Sequence, residues 1–390
     1  MAEQQEQPDK KRRKPRMRRG KGEGTIYKRR DREGFAASIT LENGKRKTIY
    51  GKTYQEAQEK LLKARYEQKQ RTLITEKDQK VGHYLEYWLE NVDKPQIRLS
   101  TYVLHCRLLR QHVLPELGSY SLQKLAPDHI QALYTHLLEK GLAPRSIRMI
   151  HAILHKALQN AVRWSKIVRN PCDVVKLPYA PKGEMQVLTV EQAHNLLEVA
   201  KGRPIEVLLI LALITGMRRG ELLGLKWQDI DFERRSLQVS RTVSFLQGHG
   251  FVESEPKTTR GRRKMSLPPF LIEKLKHHRA HQVQVRLAVG PAWQDHNLVF
   301  CSKTGSYLGP VNLRGIFERL LKKAGLPHMR FHDLRHTAIT LMLKAGVLPH
   351  VVSEIVGHSD VSITLGVYGH VLRDMHEDAM HKMEGLFGKG

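Results

Sequence analysis

Between Asn170 and Gly183 the run NPCDVVKLPYAPKG carries Pro171, Pro178, Pro181 and Gly183. No packed helix continues through it, because each proline lacks an amide hydrogen and pushes the preceding residue out of the helical region. The chain must divide there. On the N-terminal side, Val81–Val92, Ser100–Leu114, Pro127–Lys140 and Pro144–Ile167 are helical in pattern. Ser100 and Asp128 lie near helix starts, Gly141 closes one helix and Pro144 opens the next. Before the polar linker around Thr75–Lys80 the period shortens to two, over Thr25–Lys28, Phe35–Thr40 and Lys47–Tyr50, with turns at Asp31–Gly34 and Asn43-Gly44. That predicts a three-stranded sheet. Thr53 and Glu56 then form a capping box for a helix reaching about Gln70.

Charge narrows the partner. The 390 residues, enough for two or three domains with cores of their own, carry a net charge of +27. Residues 1–75 hold 22 Lys and Arg against 10 Asp and Glu, starting with the tail KKRRKPRMRR, which has no hydrophobic period and reads as a flexible basic segment. No apolar run approaches the roughly 20 residues of a membrane span, so the anionic partner is nucleic acid rather than lipid. Cys106, Cys172 and Cys301 show no CxxC spacing, and the N-terminus has no signal-peptide core. A reducing bacterial cytosol or nucleoid is expected.

Beyond the division, TVEQAHNLLEVA starts a helix whose Thr189 and Gln192 make a second capping box, and Pro204–Ile214 reads as a buried helix broken at Thr215-Gly216. Arg218 and Glu221 follow at the start of another helix, close enough for the carboxylate to hold the guanidinium. Strands are expected at Leu237–Val243, Phe251–Glu253, Met265–Leu267 and Leu298–Ser302, with a helix from Pro269 to about Leu287.

The stretch Met329–Val371 concentrates reactive side chains between apolar runs: His332 and Arg335 three apart, Gly357-His358 interrupting a helix, Ser359 placed to cap the next, and Tyr368. A phenol, guanidinia and imidazoles suit a phosphodiester, the first as nucleophile, the second on non-bridging oxygens, the third moving protons. His332 and His336 have zinc spacing, but HDLRH lacks the glutamate of HExxH and no third ligand is evident, so neither metal nor cofactor is expected.

HDLRH, then GH, then a tyrosine resembles the signature of the tyrosine recombinases, or phage integrase family, and ALITGMRRGELLGLKWQDID over Ala212–Asp231 resembles its first arginine box. The resemblance implies Arg218, Lys257 (in PKT), His332, Arg335, His358 and Tyr368 as catalytic residues, with Glu221 in support and Lys264 as the competitor of Lys257. It implies a 3′-phosphotyrosyl intermediate in the integration or excision of a mobile element. It also implies a multidomain, mainly α protein with small β-sheets: a tail (1–20), an arm-type DNA-binding domain (21–75), a helical core-binding domain (78–175) and an α+β catalytic domain (185–390). DNA contacts are expected from Lys28, Arg29, Lys45, Arg46 and Lys47 at arm sites, and from Arg145, Arg148, Arg260, Arg262 and Arg263 on core backbone phosphates. Partners implied are double-stranded DNA with core and arm-type sites, three further copies in a homotetramer, an excisionase and a host DNA-bending protein. A type IB topoisomerase-like enzyme and a non-catalytic DNA-binding protein are the alternative readings.

Overall fold

The N-terminal period-two runs pair as predicted. In the computed structural model, which describes residues 24–40, 44, 46–69, 79–181, 185–256 and 261–358 with 360–362, 364–365, 380, 383–385 and 387–388, β1 (Thr25–Lys28), β2 (Phe35–Thr40) and β3 (Arg46–Gly51) form an antiparallel sheet in that order. The chain folds as two compact units, Met1–Ala180 and Pro181–Gly390.

In the first unit, Ile26, Ala37 and Ile49 stand in register and pack with Ile39 against Ala57 and Leu61 of α1 (Tyr54–Lys69). The Glu56 amide donates to Thr53 Oγ1 at 3.1 Å, while the Glu56 carboxylate accepts from the Lys52 amide at 2.7 Å, one residue earlier than in a standard capping box. Because side chains alternate across a sheet, the residues expected at arm sites do not share a face. Arg46 lies on the face away from α1, with the exposed rings of Tyr27 and Tyr50. Lys28 and Lys47, paired with Phe35 and Ile39, fall on the helix side. Arg29 lies past β1, bound to Asp31 at 2.6 Å and 4.6 Å over the Tyr50 ring. Lys45 lies outside the described residues.

The unit continues with α2 (Val81–Trp88), α3 (Leu99–Leu108), α4 (Leu114–Leu117), α5 (Pro127–Glu139) and α6 (Pro144–Arg163). The first two predicted helices each run into a π-helical turn, Leu89–Asp93 and Leu109–Val113. Tyr84, Trp88, Leu109, Ile130 and Ile147 are fully buried between them. Asp93 at the end of the first π turn is also buried, bound by His105 Nδ1 at 2.6 Å and Lys156 Nζ at 2.7 Å. The basic face of α6 is thus partly committed inward. Arg145 and Arg148 stay exposed, the latter donating to the Pro178 carbonyl at 2.9 Å.

The second unit runs through α7 (Val190–Ala200), α8 (Pro204–Thr215), α9 (Arg219–Leu223), β4 (Ile230–Asp231), β5 (Ser236–Val239), β6 (Thr242–Leu246), β7 (Gly250–Ser254), β8 (Arg263–Ser266), α10 (Pro269–Val289), α11 (Pro310–Lys323), α12 (Asp333–Lys344) and α13 (Pro349–Val356). Thr189 and Gln192 cap α7 reciprocally, at 3.2 and 3.0 Å. The predicted strand Leu237–Val243 is two strands in different sheets, β4-β5-β8 and β6-β7. Asp229 breaks it, accepting from the Ser240 hydroxyl at 2.9 Å and from the Arg241 guanidinium. Leu298–Ser302 makes only isolated bridges, Leu298 to Lys226 and Cys301 to Tyr307. Among the described residues no helix is long and apolar enough to cross a membrane.

Candidate active site

Two glycine-terminated helices set the site. α8 stops at Gly216, whose φ of 60° is left-handed and whose missing Cβ would stand 2.9 Å from Val356 Cγ1. This close crossing aims Arg218, at the start of α9, toward the end of α13. Arg218 is bound three ways: its amide donates to Glu221 Oε2 at 2.9 Å, Nη1 to Glu221 Oε1 at 2.9 Å, and Nη2 to the Gly357 carbonyl at 3.2 Å. α13 in turn ends at Gly357, with φ 71°, and both the Gly357 and His358 amides return to the Ser353 carbonyl, at 2.9 and 3.0 Å. That left-handed turn places His358, which is buried with Nδ1 2.8 Å from Thr364 Oγ1.

Arg335 comes from the first turn of α12 and is 4% exposed. Its Nη1 donates to the Gly216 carbonyl at 2.7 Å and to the Val356 carbonyl at 2.8 Å, so one guanidinium ties the two glycine turns together. Asp333 secures the helix start by accepting from the Arg330 amide at 2.8 Å. His332, the residue before α12, opens onto a groove of about 790 Å³ that it lines with Arg218, Arg219, Arg314, His328 and Arg330. The geometry is a basic cleft with the fixed guanidinium of Arg218 on its wall.

Glu221 shows what holds the charges. Burial alone would raise its pKa, but the Arg263 charge and hydrogen bond, and then Arg218, outweigh burial and hold the carboxyl below its usual range. Arg263 was expected on backbone phosphate; instead its side chain is 7% exposed and turned inward, donating to Glu221 Oε2 at 2.9 Å and to the Ile355 carbonyl at 2.6 Å. A buried carboxylate and an orphan helix-end carbonyl outcompete solvent for it. The alternation of β8 carried the signal, since Arg263 is two residues from buried Met265. Arg262 and Lys264 are exposed on either side, Arg262 bound to Glu255. Lys257, Arg260, Ser359 and Tyr368 lie outside the described residues.

Both imidazoles are pushed down to about 4: His358, which is buried, by burial and then by Arg335 and Arg218, and His332, whose ring keeps an exposed edge on the groove, by the partial burial of its remaining surface, then by neighbouring His336 and the Arg335 and Arg218 charges. In the DNA-free protein, both rings should stay neutral as pH falls through 6.5, which nitrogen-15 NMR of the imidazoles would follow; protonation of either near 6.5 would refute this. Between about 4 and 6.5 the unfolded chain then binds protons that the folded one does not, so stability falls as pH falls through that window. Among the described residues no group of three His, Cys, Asp or Glu is arranged to hold a metal.

The phage integrase family pattern matches residues 186–375, and its N-terminal SAM-like domain matches residues 80–138. A tyrosine recombinase XerC-like protein of Caldanaerobacter subterraneus subsp. tengcongensis is 30% identical over 386 residues, covering 93% of this chain and 99% of that one. This chain belongs to the phage integrase family. It is an enzyme of the tyrosine recombinase type. An integrase of Streptomyces ambofaciens is 28% identical, covering 96% of this chain and 98% of its own. The structure of the Tn1549 transposon integrase in complex with transposon right end DNA shares the fold, with a TM-score of 0.67 over 78% of this chain and 99% of that one at 24% identity. The integrase fold thus spans both the helical segment and the unit that carries the groove.

Proposed function

We propose that this integrase inserts and excises a mobile element by cutting and rejoining DNA at Tyr368. The observation that carries the reading is the convergence of Arg218, Arg335 and His358 on the end of α13 beside the groove that His332 lines. Tyr368 Oη attacks phosphorus, a P–O bond to tyrosine forms, and the bond to the 5′ oxygen breaks. Arg218 and Arg335 neutralise the non-bridging oxygens of the pentacoordinate state, and His358 adds a hydrogen bond. Neutral His332 accepts the phenolic proton, and Lys257 delivers one to the departing 5′ oxygen. The 3′-phosphotyrosyl link conserves the bond energy, so religation by a 5′-hydroxyl requires no ATP.

The test is covalent adduct formation on a nicked suicide duplex carrying the element's own core site. With a 5′-bridging phosphorothiolate, whose sulfur leaves without a proton, Lys257→Ala should recover cleavage that it loses on normal DNA, while Arg218→Ala stays impaired on both. Recovery by Lys264→Ala instead would move the general acid to that residue.

The remaining roles follow the charge distribution. Residues 21–75 bind arm-type sites through Arg29 and Arg46 beside Tyr27 and Tyr50, with Lys28, Lys45 and Lys47 in support. Residues 78–175 bind core DNA through Arg145 and Arg148, and residues 185–390 carry the chemistry, with Arg260 and Arg262 on backbone phosphates. Two duplexes exchanged at two strands each require four cleavages, hence a homotetramer in the bacterial cytosol or nucleoid, with an excisionase and a host bending protein setting direction. Deleting residues 1–75 should reduce arm-site affinity by orders of magnitude and flatten its dependence on salt, because fewer counterions are released, while leaving core-site cleavage in place. Equal loss at both sites would refute a separable arm-binding segment.

A further inference from the structure

The last turn of α13 gathers three arginines from three distant segments. The carbonyls of Ile355, Val356 and Gly357 accept, in that order, from Arg263 of β8, Arg335 of α12 and Arg218 before α9. Carbonyls at a helix C-terminus have no amide partner within the helix and carry its negative partial charge, so they can hold clustered cations in place before a phosphate arrives. Arg218 and Arg335 are assigned to the phosphate. Arg263 is not free to join them: Nε is on Ile355, Nη2 on Glu221 Oε2 and Nη1 on the Gly261 carbonyl at 3.3 Å.

We infer that Arg263 is a positioning residue for strand cleavage, keeping the Arg218 fork available to phosphate by occupying Glu221 and pinning the turn that carries His358. The inference rests on the phosphodiester reading above. Glu221 is 4% exposed and shares its single charge between two guanidinia, Arg218 on Oε1 and Arg263 on Oε2. Without Arg263, Oε2 loses its side-chain donor inside the protein. The nearest replacement is Arg218, already on Oε1, and closing onto both oxygens makes the planar two-bond pair that guanidinium and carboxylate favour. That pair withdraws the Arg218 donors from the groove and cancels its charge. The Ile355 carbonyl loses its donor in the same step, loosening the Gly357-His358 turn.

The experiment compares Arg263→Met and Arg263→Lys with the wild type, all as full chains, in single-turnover cleavage of the suicide duplex and of its 5′-phosphorothiolate counterpart. Duplex affinity and thermal unfolding are measured alongside. The methionine variant should bind the duplex within about threefold of the wild type and form adduct about 10²-fold more slowly, the scale of losing one transition-state donor. Sulfur substitution should not restore its rate, because the defect lies in phosphoryl charge rather than leaving-group protonation. Lysine should recover part of the rate, since one ammonium can reach Glu221 or Ile355 but cannot match the planar fork on both. In the DNA-free methionine variant, nitrogen-15 spectra should show the Arg218 Nη hydrogens exchanging more slowly than in the wild type. Unchanged cleavage, rescue by sulfur, or a rate loss matched by equal losses of binding and thermal stability would each overturn the assignment. A wild type that forms no adduct would overturn the tyrosine reading, and the Arg218 spectrum would still decide the role of Arg263.

Discussion

Tyr368→Phe is expected to bind the core duplex with the affinity of the wild type and to leave no covalent adduct on a nicked suicide substrate. The substitution removes one oxygen and keeps the ring, so it changes little but the atom proposed to form the phosphotyrosyl bond. Removing the nucleophile of a covalent catalyst costs about 10⁴-fold or more, with no partial rescue from the surrounding donors, because those donors stabilise a transition state that no longer has an attacking group. Peptide mapping of the wild-type adduct should locate the DNA on Tyr368. Adduct formation by the phenylalanine variant at the wild-type rate, or mapping to another tyrosine, would sink the assignment.

Arg335→Met is expected to lose both stability and rate. Its Nη1 supplies a donor to the Gly216 and Val356 carbonyls, at 2.7 and 2.8 Å in a site that is 4% exposed. Leaving buried carbonyls without a donor costs about 1–3 kcal/mol each. For a unit of this size that lowers the unfolding midpoint by several degrees, on the order of 2–4 °C per kcal/mol. The missing charge on the non-bridging oxygens removes about 10²–10³ in cleavage rate besides. Arg335→Lys separates the two effects: an ammonium on the two carbonyls has no planar fork left to offer the phosphate, so stability recovers more than rate. Calorimetry and single-turnover cleavage check this, and a methionine variant that melts and cleaves like the wild type would refute it.

The expected loss at Arg335 is large because the residue joins turns 140 residues apart in the chain, Gly216 and Val356, besides the phosphate role proposed for it. Glycine is required at Gly216 for two separate reasons, its left-handed φ of 60° and the 2.9 Å approach of Val356. The arginines and the glycines form one device: the turns bring the carbonyls together, and the carbonyls hold the guanidinia.

What was legible in the sequence was whatever nearest neighbours decide. The reciprocal cap at Thr189 and Gln192, the buried run ending in Gly216, the three N-terminal strands and the breakers after Asn170 each depend on residues within one or two turns, and the chain forms them as their local pattern dictates. The two short motifs around Arg218 and His332 were visible for the same reason, each being a local run of the chain. Tertiary structure alone decided the rest. Leu237–Val243 alternates like one strand, yet Asp229 binds Ser240 and Arg241 and sends the two halves to different sheets. The basic turn around Arg263 looks like a phosphate-binding run until Glu221, 42 residues earlier, and Ile355, 92 residues later, claim its guanidinium. A periodic pattern reports which side of an element is buried, but the partner of a buried charge is whatever the fold brings within hydrogen-bond reach, and that is set by the packing of whole helices rather than by spacing along the chain.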